Sequence, residues 1–159
     1  MLRYREFCIR PWQPSDRHQA AQVIATVLKE YGLGWEPEGA DADVMAVETF
    51  YWQSQGAFWV VVDGAELVGT VGYHPIQRGP QAAEIRKMYL LPSVRGRGLG
   101  RYLLQLVEQA IQTAGYRQIW VETASVLKEA VCLYERAGYV PAEGVVTCRC
   151  DLIYVKHLS

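Results

Sequence analysis

The chain has 159 residues, half of them hydrophobic, which is enough for one buried core and too few for two domains of ordinary size. Its 16 Lys and Arg against 17 Asp and Glu leave a formal charge of −1, so bulk electrostatics favours neither nucleic acid nor an anionic membrane as partner. Cys8, Cys132, Cys148 and Cys150 lack C-x-x-C spacing and a nearby histidine, which argues for reduced thiols and against a metal site. The charged start Met1-Leu2-Arg3-Tyr4-Arg5-Glu6 and the absence of an apolar run approaching ~18 residues predict a soluble, cytoplasmic protein.

Residues 7–10 read as a short strand ended by Pro11, and Pro14–Asp16 as the start of a helix with Ala20, Val23, Ile24, Val27 and Leu28 at helical spacing. Gly32 and Gly34 close that helix, and Asp41 or Asp43 is placed to open a second one through Val44, Val47 and Tyr51. Residues 57–62 and 67–73 are β-rich runs joined by Asp63-Gly64, a hairpin signal, and residues 85–91 continue an antiparallel meander. Residues 99–114 repeat apolar side chains at Leu99, Leu103, Leu106, Val107, Ala110 and Ile111 before Gly115, the pattern of an amphipathic helix with a glycine stop. Residues 118–122 then form a strand parallel to 85–91, because a helical crossover separates the two. Ser125 is placed to cap another helix ending at Gly138, and residues 139–141 and 147–157 supply closing strands, with Cys148 and Cys150 sharing a face.

The run Arg95-Gly96-Arg97-Gly98-Leu99-Gly100 lies between a strand and a helix, where it makes an anion-binding loop. Glycines allow close backbone approach, and the first N–H groups of the helix carry partial positive charge. A nucleoside-triphosphate P-loop is excluded because Arg101-Tyr102 follow where Lys-Ser or Lys-Thr is required. A dinucleotide fingerprint is disfavoured because Gly96, Gly98 and Gly100 are evenly spaced, although Glu122 falls about 20 residues on, where its ribose-binding acid would stand.

Strand, glycine loop and helix, read from Glu84 to Gly100, resemble motif A of the GNAT superfamily of acyl-coenzyme A dependent N-acetyltransferases. Leu133-Tyr134-Glu135-Arg136-Ala137-Gly138-Tyr139 resembles that family's motif B, and the two occur in the family's order. The resemblance covers nearly the whole chain. It implies a single domain over residues 1–159 of α/β (α+β) class: a mixed, mostly antiparallel sheet of six to seven strands with a central parallel pair, flanked by about four helices. It also implies acetyl-CoA as acyl donor and a primary amine of a small molecule or peptide as acceptor. The alternative is a non-catalytic acyl-CoA-binding module of the same fold, kept open by Leu127, which stands where many members carry an asparagine.

By motif position the donor's pyrophosphate rests on the loop from Arg95 through Gly96, Arg97, Gly98 and Leu99 to Gly100, with Arg101 adding charge. Its pantetheine arm runs beside Met88, Tyr89 and Leu90, and Leu127 and Lys128 complete the donor site. Tyr134 aligns with the family tyrosine that protonates the departing thiolate, a task suited to a phenol of reference pKa about 10. Glu84 reads either as a general base or as a carboxylate paired with Arg86, and Glu122 as a weaker substitute. Tyr31 and Trp35, with Tyr51 and Trp52, read as acceptor-facing aromatics or as packing. The acidic stretch Glu36, Glu38, Asp41, Asp43 and Glu48 reads as an attractor for a cationic amine or as a solvated face. Cys132 is turned away from Tyr134 on its helix, which favours direct transfer. The histidines are isolated and take no role. A homodimer is the family's common state, and Ile153, Tyr154 and Val155 are candidates for its contact.

Overall fold

Runs of β-branched and aromatic residues punctuated by tight turns build most of the sheet. In the computed structural model, which describes residues 1–159, β1 (Leu2–Tyr4) and β2 (Phe7–Pro11) form a hairpin, and helix α1 (Arg17–Glu30) follows. The meander is β3 (Ala57–Asp63), β4 (Glu66–Ile76) and β5 (Ala82–Leu90). Helix α2 (Leu99–Thr113) carries the chain over so that β6 (Gln118–Thr123) lies parallel to β5. Helix α3 (Lys128–Arg136), β7 (Val140–Pro141) and β8 (Leu152–His157) complete a sheet of order β1-β2-β3-β4-β5-β6-β8-β7. The expected meander, crossover and central parallel pair are all present.

Alternation along the strands feeds two separate apolar layers. Leu99, Leu103, Leu104, Val107 and Ile111 of α2 cluster with Val61, Ile85, Ile119 and Val121, whereas Ala20 and Val23 of α1 cluster with Phe58, Val60 and Leu67. Adjacent residues Val60 and Val61 thus serve opposite layers, as a pleated strand requires.

The parallel pair is short. β5 meets β6 only from Ala82↔Gln118 to Ile85↔Val121, and beyond that point Glu122 and Thr123 pair with β8 alone. On its other side β5 loses register with β4 between Thr70 and Gly72, and Lys87 there has φ of +55°, a bulge that bends the strand away. Thr70 Oγ1 donates to the Lys87 carbonyl at 2.7 Å and satisfies a backbone group beside the bulge.

Several expectations are corrected. The sheet has eight strands because the charged N-terminus forms β1, whose turn uses Arg5 at φ of +54°. The second helix is replaced by a 3-10 turn, Val44–Ala46, and a π-helical segment, Glu48–Trp52. Asp43 stands at the N-cap position of the 3-10 turn but makes no side-chain cap bond, because Asp41 and Asp43 are both buried among cations. Ser125 binds Asp151 through its N–H and its hydroxyl instead of capping α3, which begins after Leu127. Cys148 and Cys150 lie in the loop before β8 rather than on it. Ile153, Tyr154 and Val155 are buried within the chain, between β6 and β7, and offer no contact surface. No helix is long and apolar enough to cross a membrane.

Gly72 shows how tightly the layers meet: a Cβ there would lie 2.6 Å from Phe58 Cδ2 and 2.9 Å from Tyr51 Cε1. Gly72→Ala is therefore expected to cost about 1–3 kcal/mol through overpacking, read as a lower urea midpoint with an unchanged m-value.

Candidate active site

Divergence of β5 from β6 opens a cleft of about 330 Å³ that runs from the glycine loop to the start of β5. At one end Gly96 and Gly98 adopt left-handed backbone, φ of +76° and +81°, and Gly98 is the N-cap of α2. The first bond of the helix is Tyr102 N–H to the Gly98 carbonyl, so the N–H groups from Gly96 to Arg101 have no partner within the chain. Gly96, Gly98 and Gly100 line the cleft. Such an arc of unsatisfied N–H groups at a helix start is an anion cradle.

The arginines of the loop behave differently from one another. Arg95 lines the cleft but forks onto Glu30 at 2.7 and 2.9 Å, meets the Tyr31 hydroxyl at 3.2 Å and donates to the Leu90 carbonyl at 3.0 Å. Arg97 turns outward to Glu6 at 2.8 Å and lies over the Phe7 ring, outside the cleft. Arg101 is exposed, lines the cleft and has no carboxylate partner. Leu99 is buried in the core beneath the loop, and Lys128 is exposed beyond the cleft wall.

In the middle, Met88, Tyr89 and Leu90 line the cleft along the edge of β5 that β6 has left, and Leu127 faces them. An abandoned strand edge presents backbone donors and acceptors to whatever lies beside it. Tyr134 of α3 projects into the same space, and its hydroxyl makes no hydrogen bond within the chain. Burial pushes the Tyr134 phenol well above its ordinary pKa, with Tyr89 and Cys150 adding to the effect. Burial likewise raises Tyr89 to about 12.

The far end is rich in charge. Glu84 is buried; His74 Nε2 lies 3.0 Å from its carboxylate and Arg86 donates to it at 3.3 Å. Burial alone would raise the Glu84 pKa, but these two partners outweigh it and hold the group below the ordinary carboxylate range. Behind it Lys87 lies 3.3 Å from Asp41 and 3.1 Å from Asp43, and Arg149 grips Asp41 through two bonds of 2.7 and 2.8 Å. Asp41 and Asp43 are thus neither solvated nor open to a cationic ligand. Glu122 lines the cleft while accepting the N–H groups of Val146 and Thr147 at 2.9 Å each, so its carboxylate pins a loop.

Among the acceptor candidates, only Tyr31 and Glu122 line the cleft. Trp35 packs on Ile24, Leu28 and Val44. Tyr51 is buried with its hydroxyl on Asp43, and Trp52 is half exposed. Sequence reasoning missed His74, whose pairing with Glu84 follows from the β4–β5 register, and Arg149 and Cys150, which reach the cleft from an irregular loop. The register was a usable signal; for the loop there was none.

Fold and cleft together place the chain among the N-acetyltransferases. The model of the Acetyltransferase (GNAT) family matches residues 22–139, and the chain belongs to that family. The Escherichia coli protein named uncharacterized N-acetyltransferase YjgM is 34% identical over 136 residues, which are 84% of this chain and 81% of that protein. A Schizosaccharomyces pombe protein, uncharacterized N-acetyltransferase C1271.07c, is 27% identical over 82% of this chain and 80% of its own. Solved structures share the fold. A GNAT-family acetyltransferase from Staphylococcus aureus Mu50 superimposes with a TM-score of 0.89 at 18% identity, covering 96% of this chain and 99% of that one. The Salmonella typhimurium protein yncA, solved with its cofactor acetyl-CoA, gives 0.75 at 15% identity over 97% of this chain and 95% of that one.

The buried ion cluster gives an acid-sensitive stability. Burial raises the Asp41 pKa, but hydrogen bonds from Arg149 and the charge of Lys87 more than reverse this and leave it lowered. The unfolded chain takes up a proton near pH ~3.9 where the native state does not, so this contribution is complete above that pH and drains away below it. Asp41→Asn is expected to lose about 3–5 kcal/mol at pH 7 and to flatten the fall in stability below pH ~4, as measured by urea unfolding across pH.

Proposed function

We propose that the chain transfers an acetyl group from acetyl-CoA directly to a primary amine of a small molecule or peptide. The observation that carries this reading is the alignment of three features in one cleft: the free N–H arc of Gly96–Arg101, the unpaired edge of β5 and the unpartnered Tyr134 hydroxyl. A diphosphate suits the first and an amide-bearing arm the second. A leaving thiolate suits the third. The residues fit coenzyme A in order and in chemistry.

Gly96, Gly98, Leu99 and Gly100 hold the diphosphate through peptide N–H groups, and Arg101 supplies the one uncompensated guanidinium beside it. Met88, Tyr89 and Leu90 hold the arm, with Leu127 flanking it. Arg95 acts on the loop's shape through Glu30, whereas Arg97 turns away from the cleft onto an exposed pair with Glu6. As the amine nitrogen bonds to the acetyl carbon, the carbon–sulfur bond breaks and Tyr134 donates its proton to the sulfur. A phenol raised by burial keeps that proton throughout the neutral range.

Glu84 stays a carboxylate at neutral pH, because His74 and Arg86 stabilise its charge. It attracts and orients the ammonium and passes the proton through water rather than storing it. Glu122 borders the acceptor, whereas Tyr31 lies with Arg95 beside the glycine loop. Direct transfer is supported by the cysteines: Cys132 is exposed and outside the cleft, and burial raises the Cys150 thiol to about 11, so it is not a thiolate nucleophile near pH 7.

Gly100 accepts a Cβ at ordinary contact, 3.7 Å from Leu133 and Leu90 side chains, and an acid suits the first turn of a helix. Gly100→Glu is expected to fold and to weaken coenzyme A binding about a hundredfold in calorimetry, by placing a carboxylate against the diphosphate. Unchanged affinity would overturn the donor site. Tyr134→Phe is expected to keep that affinity while thiol release with an accepted amine falls about a hundredfold. Loss of affinity without loss of kcat would remove Tyr134 as the acid.

A further inference from the structure

The β1–β2 hairpin was not foreseen from the sequence, and its position is informative. Tyr4, the last residue of β1, stacks on Tyr102 of α2 with ring centroids 4.7 Å apart, and its hydroxyl donates to the Arg97 carbonyl at 2.7 Å. The ring therefore touches both the helix that follows the glycine loop and the loop's own backbone. A Cβ on Gly98 would lie 2.6 Å from the Tyr4 hydroxyl, so that hydroxyl occupies the space beside Gly98.

The bonded group matters more than the contact. All peptide bonds here are trans, and in a trans peptide the C=O and the following N–H point in opposite directions. Drawing the Arg97 carbonyl onto Tyr4, which does not line the cleft, turns the Gly98 N–H away from Tyr4, and Gly98 itself lines the cleft. Gly98 has the left-handed φ of +81°, a region where glycine has several competing basins. A flexible peptide between two glycines has no reason of its own to keep its donor aimed at a ligand. The hairpin's other links to the loop are through the Arg97 side chain, which lies over the Phe7 ring and pairs with Glu6; the paired side chains are 42% and 48% exposed, and such pairs hold weakly.

We propose that Tyr4 is a positioning residue for the donor's diphosphate, acting through the Arg97–Gly98 peptide. This rests on the reading of the cleft as a coenzyme A site. It assigns the N-terminal hairpin a part in recognition, although no atom of Tyr4 lines the cleft.

The test compares two probes on the full chain: coenzyme A by calorimetry, and pantetheine, which has the arm without the diphosphate, by amide chemical shifts at millimolar concentration. Tyr4→Phe keeps the stacked ring and removes only the hydroxyl. It is expected to weaken coenzyme A about five- to tenfold, the worth of one hydrogen bond, and to leave pantetheine unchanged. Glu6→Gln, which leaves the backbone bond intact, is expected to stay within about twofold of wild type. Equal weakening of both probes, unchanged affinity for coenzyme A, or an equal effect of Glu6→Gln would each overturn the assignment. Wild-type protein that binds no coenzyme A would instead overturn the donor site on which it rests.

Discussion

Everything distinctive in this molecule depends on the separation of β5 from β6 after Ile85 and Val121. A parallel pair that continued to the ends of both strands would leave a closed sheet with no cleft and no free strand edge. The separation is imposed from both sides. The Lys87 bulge bends β5, and β6 keeps its full ladder with β8, so it cannot follow. Unpaired backbone groups are costly when buried, so a split of this kind persists only where something else meets them. A strand-like ligand arm would be such a partner, and the cleft opens where the ladder between β5 and β6 ends.

A second consequence of the bulge is that it inserts Lys87 among carboxylates. Lys87, Arg86 and Arg149 are balanced by Asp41, Asp43 and Glu84, and through them three distant stretches are tied together: the segment after α1, the start of β5 and the loop before β8. Two of these stretches have no regular structure to hold them. Buried ion pairs add little net stability over apolar packing, but losing one member is expensive, so they fix geometry more than they add free energy. The end of the cleft around Glu84 is thus shaped by irregular chain that electrostatics holds in place, while the end at the glycine loop is shaped by helix and strand.

This division explains what the sequence disclosed. Periodicity marked the meander, α2 and the crossover, because those elements follow local rules that a linear pattern records. The glycines at 96, 98 and 100 marked the anion loop for the same reason. Charge did not read so directly. Arg95 and Arg97 looked like ligand contacts until Glu30 and Glu6, distant in sequence, were seen to hold them. Asp41 and Asp43 looked like helix caps or a solvated face, and their partners lie more than forty residues on. A side chain's chemistry is visible in sequence, whereas its compensation is a property of the fold. His74 falls between these cases, since the hairpin register that pairs it with Glu84 was available once β4 and β5 were aligned.

The anion cradle is made of main chain, and every residue carries a peptide N–H whatever its side chain. The side chains around the glycines are consequently released from ligand duty, and Arg95 is recruited instead as a strut onto Glu30. A cradle of this kind also contains nothing that titrates, whereas the opposite end of the cleft carries the Glu84 carboxylate, which His74 and Arg86 hold below the ordinary carboxylate range. Only acidity strong enough to protonate Glu84 therefore reaches that end of the cleft, and it leaves the backbone cradle at the other end unchanged.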